Sequence, residues 1–197
     1  MRQSIAVRIV CLVSSLLFTA VAYAGVSGDS TYSVVAYVGG GLSRYLVAAG
    51  IPSGMSADVS KTGPAATVRV MWRPDHLLSV GLETGWTKMY SYKSTSGPPA
   101  EVYLSQVPVY IVFSMRFWDV LNIVGGYGYS RVNTNLNYEG TVNQGTWSMG
   151  WVAACSYEKP LSKTLGIATE LKWIDAVESR EAVLTLQVQL VWDFFRY

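Results

Sequence analysis

From residue 33 to residue 195 the charges of this chain avoid every second position within its regular runs. A period of two is the mark of β-strands, whose successive side chains point to opposite faces. Turn residues cut the pattern into eight runs, at 33–43, 65–73, 77–87, 105–117, 120–130, 146–158, 164–174 and 182–195. One face of each run is uncharged and largely bulky, as in Leu78, Val80, Leu82, Thr84 and Trp86 or in Leu184, Leu186, Val188, Leu190 and Trp192. The opposite faces carry Arg69, Arg73, Glu83, Arg116, Glu158, Glu170, Lys172 and Asp193, four cations and four anions.

Periodicity alone does not say which face turns outward. Side-chain size does. Eight strands close into a barrel whose interior is only wide enough to be filled by side chains. The charged face is laced with small residues (Gly39, Gly41, Ser79, Gly81, Gly85, Gly126, Gly128, Gly150, Ser156, Gly166), while Trp, Leu, Phe, Tyr and Ile crowd the apolar face. Small and ionic residues suit a narrow lumen, and bulky ones suit a lipid-facing belt. The expected fold is therefore all-β, an eight-stranded antiparallel up-and-down transmembrane β-barrel.

Aromatic placement points the same way. Trp72, Phe117, Tyr157, Trp192 and Phe194 fall at strand ends beside short turns or the C-terminus, and Trp86, Tyr129, Trp147 and Trp173 fall at ends beside longer connections. Two aromatic girdles at opposite membrane interfaces are expected of outer-membrane barrels. Connections alternate too: those at 44–64, 88–104, 131–145 and 175–181 are the longer ones and are expected to be external loops, which puts both barrel termini in the periplasm.

Residues 1–24 read as a signal peptide: Arg2 and Arg8, then an apolar stretch, then Ala22-Tyr23-Ala24, with cleavage between Ala24 and Gly25. The mature barrel would span 25–197. Removing Arg2 and Arg8 takes 15 basic residues to thirteen, level with the 13 acidic ones, so no basic surface argues for a nucleic-acid partner. Cys11 leaves with the same segment, and Cys155 alone cannot form an internal disulfide.

Several segments carry a resemblance: Val107-Pro108-Val109-Tyr110, Val124-Gly125-Gly126-Tyr127-Gly128-Tyr129, Tyr157-Glu158-Lys159-Pro160-Leu161-Ser162, the run from Gly166 to Trp173, and the aromatic end at Tyr197. Through these the chain resembles the small outer-membrane β-barrels, the group of OmpA-like transmembrane domains, OmpX and opacity-type proteins. The resemblance implies residence in the bacterial outer membrane, contact with its lipid, and delivery by the barrel-assembly machinery, which would read the C-terminal strand ending at Tyr197. One departure is visible. Phe195 and Tyr197 have the opposite parity to Leu184–Phe194, so a bulge or an early strand end is needed near Phe194.

The inward charges are the most chemical feature of the sequence. Arg69 and Glu83 lie on strands joined by a short turn, and Glu170 and Lys172 share a strand. Buried charges need partners or water, so a balanced network filling the lumen is expected; a gated ion path through it is the alternative. His76, the sole histidine, has no nucleophile at a suitable spacing, and Gly39-Gly40-Gly41 lacks the Lys-Ser/Thr and helix of a phosphate loop. No catalytic residue, metal site or cofactor is assigned. Cys155 is expected to face lipid. The function expected is structural or surface-interacting, non-enzymatic, with a possible external ligand at the loops. A narrow channel or conduit for small apolar solutes is the alternative, and a lipid-modifying enzyme is a further one.

Overall fold

The computed structural model describes residues 32–47, 57–74, 78–94, 101–117, 120–137 and 141–196. The expected signal segment, its cleavage point at Ala24 and Gly25, His76 and Tyr197 lie outside these residues. Nine strands are found among the described residues: β1 (Ser33–Tyr45), β2 (Ala57–Ser60), β3 (Thr62–Arg73), β4 (Leu78–Ser94), β5 (Glu101–Phe117), β6 (Leu121–Asn137), β7 (Thr141–Pro160), β8 (Leu165–Ala176) and β9 (Glu181–Arg196). Strands β2 and β3 both pair with β4 and are broken only at Lys61, so they act as one stave. Each stave pairs antiparallel with its chain neighbour, and β1 pairs with β9, closing an eight-stave barrel.

The closing seam explains two of the glycines. A Cβ at Gly39 would run into the Val188 carbonyl, and one at Gly41 into the Leu186 carbonyl. Only glycine lets β1 approach β9 this closely with its inward positions empty. At the end of that seam the register slips by one residue: Val35 pairs with Asp193 but Val34 with Phe195, leaving Phe194 as a bulge. The parity break at the C-terminal aromatics is absorbed there, and Phe195 joins the outward phase of Val34.

The longer connections are corrected by the structure. Strand β4 continues to Ser94 and β5 starts at Glu101, inside the expected 88–104 loop; β6 continues to Asn137 and β7 starts at Thr141, inside 131–145. At the first connection β1 ends at Tyr45 and strand resumes at Ala57, while β8 and β9 are joined by a tight turn over 177–180 in which Arg180 has φ 58°. Beyond the apolar belt the outward positions turn polar, as at Lys88 and Arg131, while the inward positions mix Met89, Leu104 and Val132 with Ser91, all buried. Tyr90, Tyr92, Val132 and Thr134 keep good strand propensity there, but the apolar–polar contrast that marks strands disappears.

The walls are consequently uneven. On the rim holding Ser33 and Arg196, the terminal rim, the staves end close together. On the opposite, far rim, β4 to β7 rise well past β1, β8 and β9: β7 pairs with β8 only from Gly150 onward and with β6 from Thr141.

Candidate functional site

The interior holds the chemistry. Toward the terminal rim Val35, Met71 and Val124 pack inward, and toward the far rim Met89, Leu104, Ile174 and Val183 do so, all within 4% exposure. Between these layers lie four charges with side chains no more than 2% exposed. Arg69 of β3 donates to Glu83 of β4 from Nε at 2.6 Å and to Glu170 of β8 from an η nitrogen at 2.7 Å. Lys172 of β8 reaches Glu83 at 2.7 Å and Glu170 at 3.0 Å. Each acid thus touches both cations and each cation both acids, a closed and electrically neutral ring.

The strands fix this ring. Register places Arg69 opposite Glu83 on adjacent staves, and Glu170 and Lys172 share the inward face of β8. To reach from β3 to β8 the side chains must cross β1 and β9, where the inward positions are Gly39 and Gly41 on β1. Neutral polar groups complete it: Lys172 donates to Thr67 Oγ1 at 3.1 Å, and Gln189 donates to Glu170 at 2.9 Å. Buried charge is tolerable only when paired and hydrogen-bonded in this way.

A second cluster sits at the terminal rim. Glu158 accepts from Arg73 at 2.7 Å, from Tyr37 at 3.1 Å and from Asn122 at 3.2 Å, with Arg116 3.7 Å away. The Tyr37 ring joins the two clusters, lying 5.4 Å from the Arg69 guanidinium carbon and 5.3 Å from that of Arg73. Arg116 is 40% exposed, and Asp193 pairs at 2.5 Å with Arg196 at the surface, so these two stand at the edge of the network. Against the opposite wall Gln106 and Tyr110 both meet Ser130 Oγ, at 2.7 and 2.6 Å.

Thr67, Gln106, Ser130, Gln187 and Gln189 are buried members of this interior that neither charge nor small size marks in the sequence. Parity was the available signal, since they occupy the same inward positions.

The outer face is apolar. Trp72, Trp86, Phe117, Tyr129, Trp147, Tyr157, Trp192 and Phe194 are each at least 38% exposed there. Trp173 is outward but half-buried, because Trp151 packs edge-on against it at 4.4 Å. Cys155 is exposed on the same face. Among the described residues no group of acidic, histidine or cysteine side chains could hold a metal ion.

Ionic inside, apolar outside, closed by its first and last strands, the molecule has the architecture of a small outer-membrane β-barrel. Solved structures agree on the fold. A major outer membrane protein from Thermus thermophilus aligns with TM-score 0.57 at 12% identity, over 84% of this chain and 99% of that one. The attachment invasion locus protein Ail of Yersinia pestis, in complex with the heparin analogue sucrose octasulfate, aligns with TM-score 0.56 at 9% identity, over 86% and 99%. Neisserial surface protein A aligns with TM-score 0.50 at 11% identity, over 84% and 99%. No protein-family model matches the chain, and no curated protein does.

Proposed function

We propose that the protein is a non-enzymatic integral barrel of the bacterial outer membrane that acts at the cell surface through its far rim. The ring of Arg69, Glu83, Glu170 and Lys172 carries this reading, because its members are packed across the lumen with almost no solvent contact. Moving an ion past them would mean breaking pairs that are already desolvated, a cost of several kcal/mol for each ion. A sealed barrel makes a rigid post rather than a pore, and what it presents is the raised wall of β4 to β7. The fold is shared with a surface protein and with a barrel solved with a sulfated sugar bound, which supports an external partner at that wall. Delivery would proceed through the barrel-assembly machinery reading the last strand.

Single cysteines at Gln144, on the raised part of β7, and at Lys163, in the turn after β7, test the orientation. Both positions are exposed. In a Cys155→Ser background, a membrane-impermeant maleimide added to intact cells should label Gln144→Cys and spare Lys163→Cys. The purified protein should give no conductance steps in planar bilayers. The opposite labelling pattern, or regular conductance steps, would overturn the reading.

A further inference from the structure

On the outer face of the low wall a shallow groove is lined by Leu42, Arg44, Thr62, Leu171, Leu184 and Leu186. Antiparallel register makes these residues true neighbours. Arg44 of β1 lies opposite Leu184 of β9 and Thr62 of β3; Leu42 lies opposite Leu186, which in turn lies opposite Leu171 of β8. The leucines point away from the barrel, with Leu42, Leu171 and Leu186 exposed by 64%, 48% and 57%. At about 200 Å³ the groove is smaller than the roughly 300–1,000 Å³ of small-molecule pockets. It is too small for a drug-sized molecule but wide enough for part of an acyl chain.

Arg44 is exposed, on the outward phase of its strand, at the far-rim end of the leucine column. Among the described residues no carboxylate pairs with it. Asp175, the one acid on the outward positions of β1, β3, β8 and β9 that are described, lies opposite Ala182 and Trp151 instead. Trp173 flanks Leu184 from the other side, as an interfacial aromatic would. An arginine at the top of an apolar track presents a planar fork to phosphate oxygens while the leucines below meet hydrocarbon.

We propose that this groove is a binding site for a phosphorylated outer-leaflet glycolipid of the lipid A type, with a phosphate on Arg44 and an acyl chain along Leu42, Leu184 and Leu186. The inference rests on the membrane orientation proposed above, which sets the far rim in the outer leaflet. A groove inside the lipid-facing belt is filled by lipid in any case, and the Arg44 guanidinium selects which lipid.

Native mass spectrometry of the detergent-solubilised full-length mature barrel tests it, with bisphosphorylated lipid A, its dephosphorylated form and phosphatidylglycerol as probes. Heat-modifiable gel mobility confirms folding of each variant. The wild type should retain bisphosphorylated lipid A at least tenfold better than either other lipid. Arg44→Glu should abolish that preference, Arg44→Lys should restore part of it, and Leu184→Trp, which fills the groove, should weaken retention with the charge intact. Equal retention by wild type and Arg44→Glu, or of the phosphorylated and dephosphorylated lipids, overturns the proposal, as does phosphatidylglycerol held as tightly as lipid A. Failure of the membrane reading would show separately, as a barrel that stays in solution without detergent and does not float with liposomes.

Discussion

Arg69 and Glu170 stand 101 residues apart along the chain and 2.7 Å apart across the lumen. Their contact ties β3 to β8 over a seam of glycines, and both partners belong to a ring whose charges sum to zero. The response of that ring to substitution depends on balance more than on the number of contacts.

Arg69→Met removes one cation and leaves Glu83 and Glu170 sharing Lys172. Breaking a buried pair from one side costs about 3–5 kcal/mol. The double variant Glu170→Gln, Lys172→Met removes one charge of each sign and leaves Arg69 with Glu83. It should be less damaging than Arg69→Met despite altering two residues. Urea unfolding in detergent, followed by gel mobility, checks the order; a double variant weaker than the single would show that contacts, not balance, govern the lumen.

The β1–β9 seam should be intolerant of a single methyl. Gly41→Ala sets a Cβ against the Leu186 backbone, whereas at Gly125 a Cβ meets nothing within 4 Å. Gly41→Ala is expected to lower the yield of compact, heat-modifiable barrel strongly, and Gly125→Ala to leave it unchanged. Similar yields for both would mean that the seam can spread to admit a side chain.

Val188 sits midway along the outward column of β9, 53% exposed, between Leu184 and Trp192. In lipid, Val188→Arg should cost roughly 2–4 kcal/mol of folding stability, the range for a cation near the bilayer midplane. Val188→Leu should be neutral. Folding titrations in liposomes measure both, and an arginine tolerated without loss would place this face in water.

Glu181 lies at the far rim, beyond Arg44, where burial raises its carboxyl above the usual range while the hydrogen bond from Tyr45 pulls the other way. A carboxyl raised by folding binds its proton more tightly in the native state. Its favourable share is therefore complete in acid, below the unfolded value, and is lost as pH rises through the folded one. Heat resistance of the wild type should decline from acid to neutral pH more than that of Glu181→Gln, which stays neutral throughout. Parallel pH profiles for the two proteins would contradict this.

The staves were legible because lipid on one side and a packed lumen on the other force strict alternation. Even the bulge was foreshadowed, since Phe195 falls out of phase with Leu184–Phe194 and the slip at Val34/Val35 absorbs that one residue. The tall wall was not legible, because outward Lys88 and Arg131 are no more polar in kind than buried Ser91, which leaves no alternation to read. The sequence pattern breaks at Arg44 and predicts a loop there, yet strand continues to Tyr45 and sets Arg44 on the outward face. Gln187 and Gln189 give no signal in the sequence, because a neutral amide announces nothing until the ring of charges around it is seen.

Seven of the eight joints between staves link sequence neighbours and can form as soon as each hairpin is complete. The eighth cannot: residues 33–45 must wait for residues 183–196. Until then a nascent sheet carries two raw borders with unpaired amides, and these would bind to other chains as readily as to each other. The slow, vulnerable moment in the life of this molecule is thus its last stitch, and shielding of those borders matters most just before the cylinder shuts.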